Sequence, residues 1–346
     1  MVGSMRFGLF GSAQARRGLD VDSGAGFREF VDYNIEAEQL GYHSSFLVEH
    51  HFTGFGQVSA TLNLLTWLGA RTKRLRLGSA VMVLPWHNPV LLAEQAATID
   101  LLSGGRLDFG IGKGYRHNEF VGFCVPMAEA DDRFEEALSI ILKAWTTDTR
   151  WSFRGRYWSF EDVIVEPPAA QKPHPPLWMG AGSRDSLIKA AQRGHNVLLD
   201  QFAPIPQIGE RLAIYRAAIE AQGTKFDPMS VAVTRSMNIV MTEAERRKAI
   251  ENRLMSQERI DRLAQTPDGD NQASIISYAH TLEAAEASAL YGTPEEITTK
   301  LQALRGVGVE YVLLNSAGGI DTLRRFAREV MPHFEPETSR LATWQR

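Results

Sequence analysis

The chain has 346 residues, of which 44% are hydrophobic and 23% charged, with a formal net charge of −4. This ordinary globular composition is enough to bury one barrel-sized core. Acidic and basic residues are mixed, which argues against a nucleic-acid surface, and no segment reaches the roughly 18 apolar residues of a membrane span. The single cysteine, Cys124, excludes an internal disulfide and multi-cysteine metal sites, so a cytoplasmic location is expected.

Short apolar runs alternate with amphipathic segments along the chain, the pattern of repeated βα units around a parallel sheet. Eight of the runs are predicted strands, and eight parallel strands favour an α/β fold closed as a TIM (β/α)8 barrel. The predicted strands are 6–10, 43–48, 75–83, 107–111, 177–179, 196–199, 231–241 and 311–315.

The predicted domain is a single barrel over residues 5–335, with a tail at 336–346. Because Met5 offers a second start, residues 1–4 need not be native. Two insertions interrupt the barrel pattern. The first, at about 147–176, is rich in aromatic residues and predicts a hairpin or cover, and the second, at about 262–291, is either a mobile lid or a plain insertion.

The most informative motif is Glu49-His50-His51-Phe52, which follows the second predicted strand. Catalytic residues of a barrel lie at the carboxyl ends of its strands. Neighbouring residues of an extended chain point in opposite directions, so His50 and His51 are not expected to face the same way. One of them is therefore the better catalytic candidate, and the alternative is that one histidine is only a packed or capping residue.

Two segments are candidate anion sites. Lys113 lies among the glycines at the end of the fourth predicted strand and offers a charge suited to phosphate. The segment Gly180-Ala181-Gly182-Ser183-Arg184 leads from the fifth predicted strand into a helix, whose first amide groups attract anions. Lys113 is otherwise a solvated lysine, and Ser183 otherwise only a helix cap. Taken together, the two segments predict a phosphorylated cofactor.

Other chemistries have less support. Metal-binding histidine pairs are usually two residues apart on a strand or four apart on a helix, so adjacent His50 and His51 argue against metal-dependent hydrolysis. The chain contains no G-x-S-x-G nucleophile elbow, and serine hydrolase chemistry has no support.

The motifs together resemble the bacterial luciferase-like flavin monooxygenase family. They occur in the family's order and cover nearly the whole chain. The matching segments are Glu49-His50-His51-Phe52, Leu84-Pro85 followed by Asn88-Pro89, 94–102 followed by Ser103-Gly104-Gly105-Arg106, 109–114, 180–183 and Gly292-Thr293-Pro294-Glu295-Glu296.

This resemblance implies a barrel enzyme, usually dimeric, that uses reduced FMN and O2 through a C4a-(hydro)peroxyflavin. It implies a non-prolyl cis peptide behind the flavin at Ala80-Val81 and a catalytic histidine at His50, with His51 and Glu49 orienting His50 or the flavin. It also places Lys113, Tyr115 and Ser183 at the flavin phosphate or ribityl chain.

The resemblance further implies a separate reductase that uses NAD(P)H to supply reduced FMN, a homodimer, and a small organic substrate. The chain departs from the luciferase alpha subunits at Gly112, where they carry a reactive cysteine, so light emission is not expected. Two alternatives stay open: an oxidoreductase that uses the deazaflavin F420, and a non-catalytic flavin-binding or partner subunit.

Overall fold

A computed structural model describes residues 4–16, 18, 21–269, 271, 273, 275 and 277–335. Eight parallel strands form a closed barrel, because the last neighbour in the sheet order, β9, also pairs with β10. The predicted TIM barrel is therefore confirmed. The barrel strands are β1 (Arg6–Gly11), β2 (Ser44–Leu47), β3 (Arg76–Ser79) with β4 (Met82–Val83), β5 (Leu107–Gly112), β8 (Leu177–Gly180), β9 (Asn196–Leu199), β10 (Val231–Ile239) and β12 (Tyr311–Ser316).

The structure departs from the predicted strands in two places. The continuous strand predicted at 75–83 is wrong, because it breaks at the Ala80–Val81 peptide into β3 and β4. A short ninth parallel strand, β11 (Leu290–Gly292), extends the sheet beside the end of β10. The first predicted insertion contains an antiparallel hairpin of β6 (Trp151–Arg154) and β7 (Ser159–Val163), as expected.

Helices cover the outside of the barrel. The helix α1 ends where Gly41, with a φ of +89°, takes the left-handed conformation that stops a helix. The helices are α1 (Ala25–Gln39), α2 (Thr61–Arg71), α3 (Pro89–Ser103), α4 (His117–Gly122), α5 (Ala130–Thr146), α6 (Arg184–Gln192), α7 (Ile205–Glu220), α8 (Glu243–Ala264), α9 (Leu282–Ala287), α10 (Pro294–Gly306) and α11 (Gly319–Glu329). The predicted tail at 336–346 lies outside the described residues.

The barrel interior is filled in layers. At the amino-terminal end, Arg76 donates two hydrogen bonds to Asp108, at 2.7 and 2.8 Å. Above this ion pair the ring of Phe46 packs edge-on against Trp178, with ring centroids 5.4 Å apart. A Cβ at Gly78 would lie 2.3 Å from the Phe46 ring, so this position has room only for glycine. The packed rings fill the barrel below its carboxyl end. Ligands of such a barrel therefore bind at the carboxyl end.

The buried histidine at the start of β9 makes stability depend on pH. His195 is 4% exposed, and burial, reinforced by the charge of Arg193, lowers its pKa from 6.5 to about 4. Between these two values the unfolded chain binds a proton that the folded chain rejects, so stability is lost as the pH falls through this range.

We expect the wild type to lose about 2 kcal/mol more than His195→Asn in unfolding free energy between pH 7 and pH 5. Urea titration at the two pH values measures the difference. The exposed His333, replaced by Asn, is the matched control and should behave as the wild type. Equal losses in the wild type and His195→Asn would show that His195 is not the responsible group.

Candidate active site

Small residues surround the break between β3 and β4 at the carboxyl end of the barrel. The Ala80–Val81 bond is cis, as the resemblance implied. The Val81 side chain faces two glycines on neighbouring strands: a Cβ at Gly112 would lie 2.4 Å from it, and one at Gly180 would lie 3.8 Å away. Both predicted cofactor contacts, Ala80 and Val81, pack against the barrel interior. The glycines leave the barrel mouth free of side chains, which suits a flat ring.

The carboxylate of Glu49 is buried at the end of β2 and accepts four hydrogen bonds. His51 Nε2 and His87 Nε2 each lie 2.7 Å from Oε1, and Trp86 Nε1 lies 3.2 Å from the same oxygen. The Val83 amide donates to Oε2 at 2.8 Å. Burial alone would raise the pKa of Glu49, but the bonds from His51, His87 and Val83 outweigh it and lower the pKa to about 2. Glu49 therefore carries a fixed negative charge.

His50 and His51 point in different directions, as the strand geometry predicted. His51 turns towards Glu49 and an aromatic cluster in which the nearest ring, that of Phe123, has its centroid 4.7 Å away. The side-chain hydrogen bond of Glu49 goes to His51 and not to His50, and the expectation that His51 and Glu49 orient His50 or the flavin stays a prediction. The hydrogen-bond partner of His50 is Glu119 of α4, whose Oε1 lies 3.0 Å from His50 Nδ1 and also accepts the His51 amide at 2.8 Å.

Burial keeps His50 neutral, and the contact with Glu119 decides which ring nitrogen carries the proton. Burial lowers the pKa of His50, the bond to Glu119 raises it, the charge of Arg116 lowers it, and the net shift is downward. His50 is then a neutral imidazole at pH 7. Because Glu119 accepts from Nδ1, the proton is assigned to Nδ1 and the lone pair lies on Nε2. A neutral histidine in this tautomer is suited to accept a proton or a hydrogen bond.

The two predicted anion sites are occupied by contacts within the protein. Lys113 Nζ lies 2.8 Å from Asp131 at the exposed start of α5. Ser183 caps α6: its hydroxyl accepts the Ser186 amide at 3.3 Å, and its own amide donates to the Ser186 hydroxyl. The structure thus shows Ser183 as a helix cap, and phosphate binding at Lys113 and Ser183 remains a prediction.

The other residues predicted in this region lie along the same edge. Gly180 ends β8, Ala181 is buried, and Gly182 leads to Arg184, which is exposed in the first turn of α6. Nothing in the described contacts joins the Arg184 side chain to a partner. The amide groups of this turn can hold an anion without further side chains.

The second insertion reaches over the candidate site. Asn271 donates from Nδ2 to the main-chain oxygen of Tyr115 at 2.7 Å and to Ala264 at the same distance. The Tyr115 ring lies edge-on to the His50 ring, with centroids 6.4 Å apart. Further along the insertion, the Tyr278 hydroxyl donates to Asp200 at 2.8 Å. The insertion is thus attached to the segment after β5 and to the segment after β9, and the lid interpretation stays a prediction.

Sequence reasoning missed the partners of the two histidines. Glu119, His87 and Trp86 lie on segments far from residues 49–51, and the only local signal was a run of polar residues after the glycines of β5. Arg116, in that run, is 95% buried and was also missed. Within the described residues, no group of three or more His, Cys, Asp or Glu side chains is placed so that it could hold a metal ion, and no helix there is long and apolar enough to cross a bilayer.

Comparison with known proteins identifies the family. The sequence profile described as luciferase-like monooxygenase matches residues 5–311. The chain therefore belongs to the luciferase-like monooxygenase family, whose members are oxidoreductases.

The chain is similar both to monooxygenases and to an F420-dependent dehydrogenase. An FMNH2-dependent dimethylsulfone monooxygenase of Pseudomonas putida is 26% identical over 323 residues, 87% of each chain. An F420-dependent glucose-6-phosphate dehydrogenase of Intrasporangium calvum is 31% identical over 198 residues, 52% of this chain and 58% of that one. The crystal structure of monooxygenase RslO1 from Streptomyces bottropensis superposes with a TM-score of 0.80 at 27% identity, covering 96% of this chain and all of that one.

The hydrogen bond between Glu119 and His50 can be tested by titration. Because this bond raises the pKa of His50, Glu119→Gln should lower that pKa further. NMR titration of the His50 imidazole, assigned by comparison with His50→Gln, measures the change. The exposed Glu283, replaced by Gln, should leave the His50 titration unchanged. An increase in the His50 pKa in Glu119→Gln would contradict the contact.

Proposed function

We propose that the protein is the oxygenase component of a two-component flavin-dependent monooxygenase. When bound, reduced FMN supplies two electrons to O2, so that one oxygen atom enters a small organic substrate and the other leaves as water. A separate reductase would produce the reduced FMN from NAD(P)H. The observation that carries the proposal is the neutral His50, held by Glu119 beside a barrel mouth lined by glycines.

The residues at the mouth suit a flavin. Gly112 and Gly180 add no side chain beside Val81, and in this proposal the flavin ring lies against the face that these residues form with Ala80. The start of α6, with Ser183, lies at the carboxyl edge of the barrel and is suited to a phosphate. Lys113 would join this phosphate by exchanging its exposed bond to Asp131, which contributes little stability.

In this proposal His50 Nε2 accepts a hydrogen bond or proton from the reacting groups. Its Nδ1 proton stays on the bond to Glu119, which stabilises the imidazole if it becomes charged. The insertion that binds Tyr115 through Asn271 would keep water from the site.

Similarity to the F420-dependent dehydrogenase makes hydride transfer with F420 the second candidate. That reaction needs no oxygen and no lid that protects an oxygen-activated flavin. The two candidates therefore differ in whether reduced FMN and O2 react productively on the protein.

The deciding experiment mixes the protein with reduced FMN without oxygen, adds O2, and follows the return of oxidised flavin by absorbance. We expect the protein to delay this return relative to free flavin, and His50→Ala to lower substrate turnover about 10²–10⁴-fold while FMN binding is retained. Because no substrate is assigned, turnover is first sought in a screen of small organic compounds.

His333→Ala, which changes an exposed histidine, is the control and should match the wild type. Oxidation at the free-flavin rate, together with reduction of F420 by a screened alcohol, would contradict the monooxygenase and favour the second candidate. Unchanged turnover in His50→Ala would remove His50 from the reaction.

We also propose a homodimer that uses the outer face of α2 and α3. These helices pack side by side and expose large apolar side chains: Trp67 is 57% exposed and Leu102 is 69% exposed. Leu91 and Leu101 of α3 are exposed as well. Exposed apolar groups of this size on neighbouring helices are typical of protein interfaces.

If this face forms the dimer, the double substitution Trp67→Lys/Leu102→Lys should reduce the molar mass measured by light scattering from two chains to one. Two desolvated ammonium groups facing a partner surface oppose association. Met255→Lys, on exposed α8, is the control and should remain dimeric. A dimer that survives the double substitution would place the interface elsewhere.

A further inference from the structure

Arg116, at the start of α4, is the one buried arginine of the described chain that lacks partners for its charge. Its single hydrogen bond to a described residue is a long one, from Nε to the Tyr115 hydroxyl at 3.4 Å. Its Nη1 is fully buried and has no partner among the described residues. A guanidinium carries five N–H donors and keeps its charge, so burial without acceptors is costly.

The three other buried arginines of the described chain show what is missing. Arg211 lies 2.8 Å from the Asp200 carboxylate. Arg235 donates to three main-chain oxygens, and Arg253 makes four hydrogen bonds. Among the described residues, Arg116 has neither a carboxylate nor a set of carbonyl oxygens, so those residues do not balance its buried charge.

The surroundings of Arg116 point towards the candidate active site. Its guanidinium carbon lies 5.8 Å from the centroid of the Tyr115 ring, and that ring is edge-on to His50 at 6.4 Å. The positive charge of Arg116 helps to hold the pKa of His50 low, which places the two side chains within electrostatic reach. Glu119, three residues further along, uses its Oε1 for His50 and the His51 amide.

The next two residues leave polar atoms unpaired as well. His117 Nδ1 and Asn118 Oδ1 are buried without partners among the described residues. Three consecutive residues with unpaired buried atoms are unusual, because buried polar groups are generally hydrogen-bonded. They lie directly after Tyr115, the residue to which Asn271 of the insertion attaches. The unpaired atoms of these three residues thus lie next to the residue that Asn271 contacts.

We propose that Arg116 binds an anionic group of the substrate, so that the enzyme acts on small organic acids with a carboxylate or a similar oxyanion. The planar guanidinium matches a carboxylate in a two-bond arrangement, and the anion would supply the missing acceptors. The proposal rests on the proposed function, because it names the substrate class of the same site. The predicted flavin phosphate site uses other residues, Lys113 and Ser183.

The test compares matched pairs of acids and amides as probes. Calorimetry on the protein saturated with oxidised FMN would measure binding of benzoate against benzamide, hexanoate against hexanamide, and nicotinate against nicotinamide. We expect at least one carboxylate to bind ten-fold or more tightly than its amide. Methanesulfonate against dimethylsulfone separates sulfonate from carboxylate recognition.

Variants of Arg116 test whether tighter binding of acids than of amides depends on its guanidinium. Arg116→Gln should abolish it, and Arg116→Lys, which keeps the charge but not the planar fork, should retain part of it. Arg150→Gln, on the exposed hairpin, is the matched control and should keep the full preference. Circular dichroism of each variant shows whether it is folded, and the wild-type comparison stands even if Arg116→Gln does not fold.

Three results would overturn the proposal: no acid binding better than its neutral partner, a preference that survives Arg116→Gln, or a loss of reduced-FMN affinity in Arg116→Gln with the acid preference intact. The last result would assign Arg116 to the flavin. Acid preference without any reaction of reduced FMN with O2 would instead contradict the proposed monooxygenase and leave the anion subsite standing.

Discussion

The buried carboxylate of Glu49 connects the strand that carries the histidines to the segment that follows the cis peptide. It lies at the end of β2 and accepts hydrogen bonds from His51, His87, Trp86 and the Val83 amide. A charge removed from water is tolerated only when donors surround it, and removing one partner of such a group costs about 3–5 kcal/mol. The position of Val81 at the barrel mouth and the direction of His51 therefore depend on this one carboxylate.

A second carboxylate, that of Glu119, binds the histidine segment at the same edge of the barrel. Glu119 binds the ring of His50 and the main chain of His51, so the direction of each histidine is set by a different acid. Glu49 binds the ring of His51, which faces the aromatic cluster. Glu119 leaves His50 neutral with Nε2 unpaired among the described residues, which is the state that proton transfer requires.

The local sequence pattern was enough to predict the barrel. Alternating apolar runs and helical stripes predicted all eight barrel strands, because each strand is buried by its own βα unit. The same reasoning did not predict that the strand breaks at Ala80–Val81. Only the family resemblance implied a cis peptide at that bond. It also missed β11, a three-residue strand too short to show a period.

The sequence by itself determined the barrel, the divergence of His50 and His51, and the candidate sites at the strand ends, since these follow from the two-residue period of strands and the caps of helices. Only the tertiary structure decided which groups meet. Glu119 is 69 residues from His50, and Asn271 is 156 residues from Tyr115. Such contacts are made where loops from separate βα units converge at one end of the barrel, and no periodicity along the chain records them. For the same reason no pattern in the sequence indicated that Arg116 is buried without a carboxylate among the described residues.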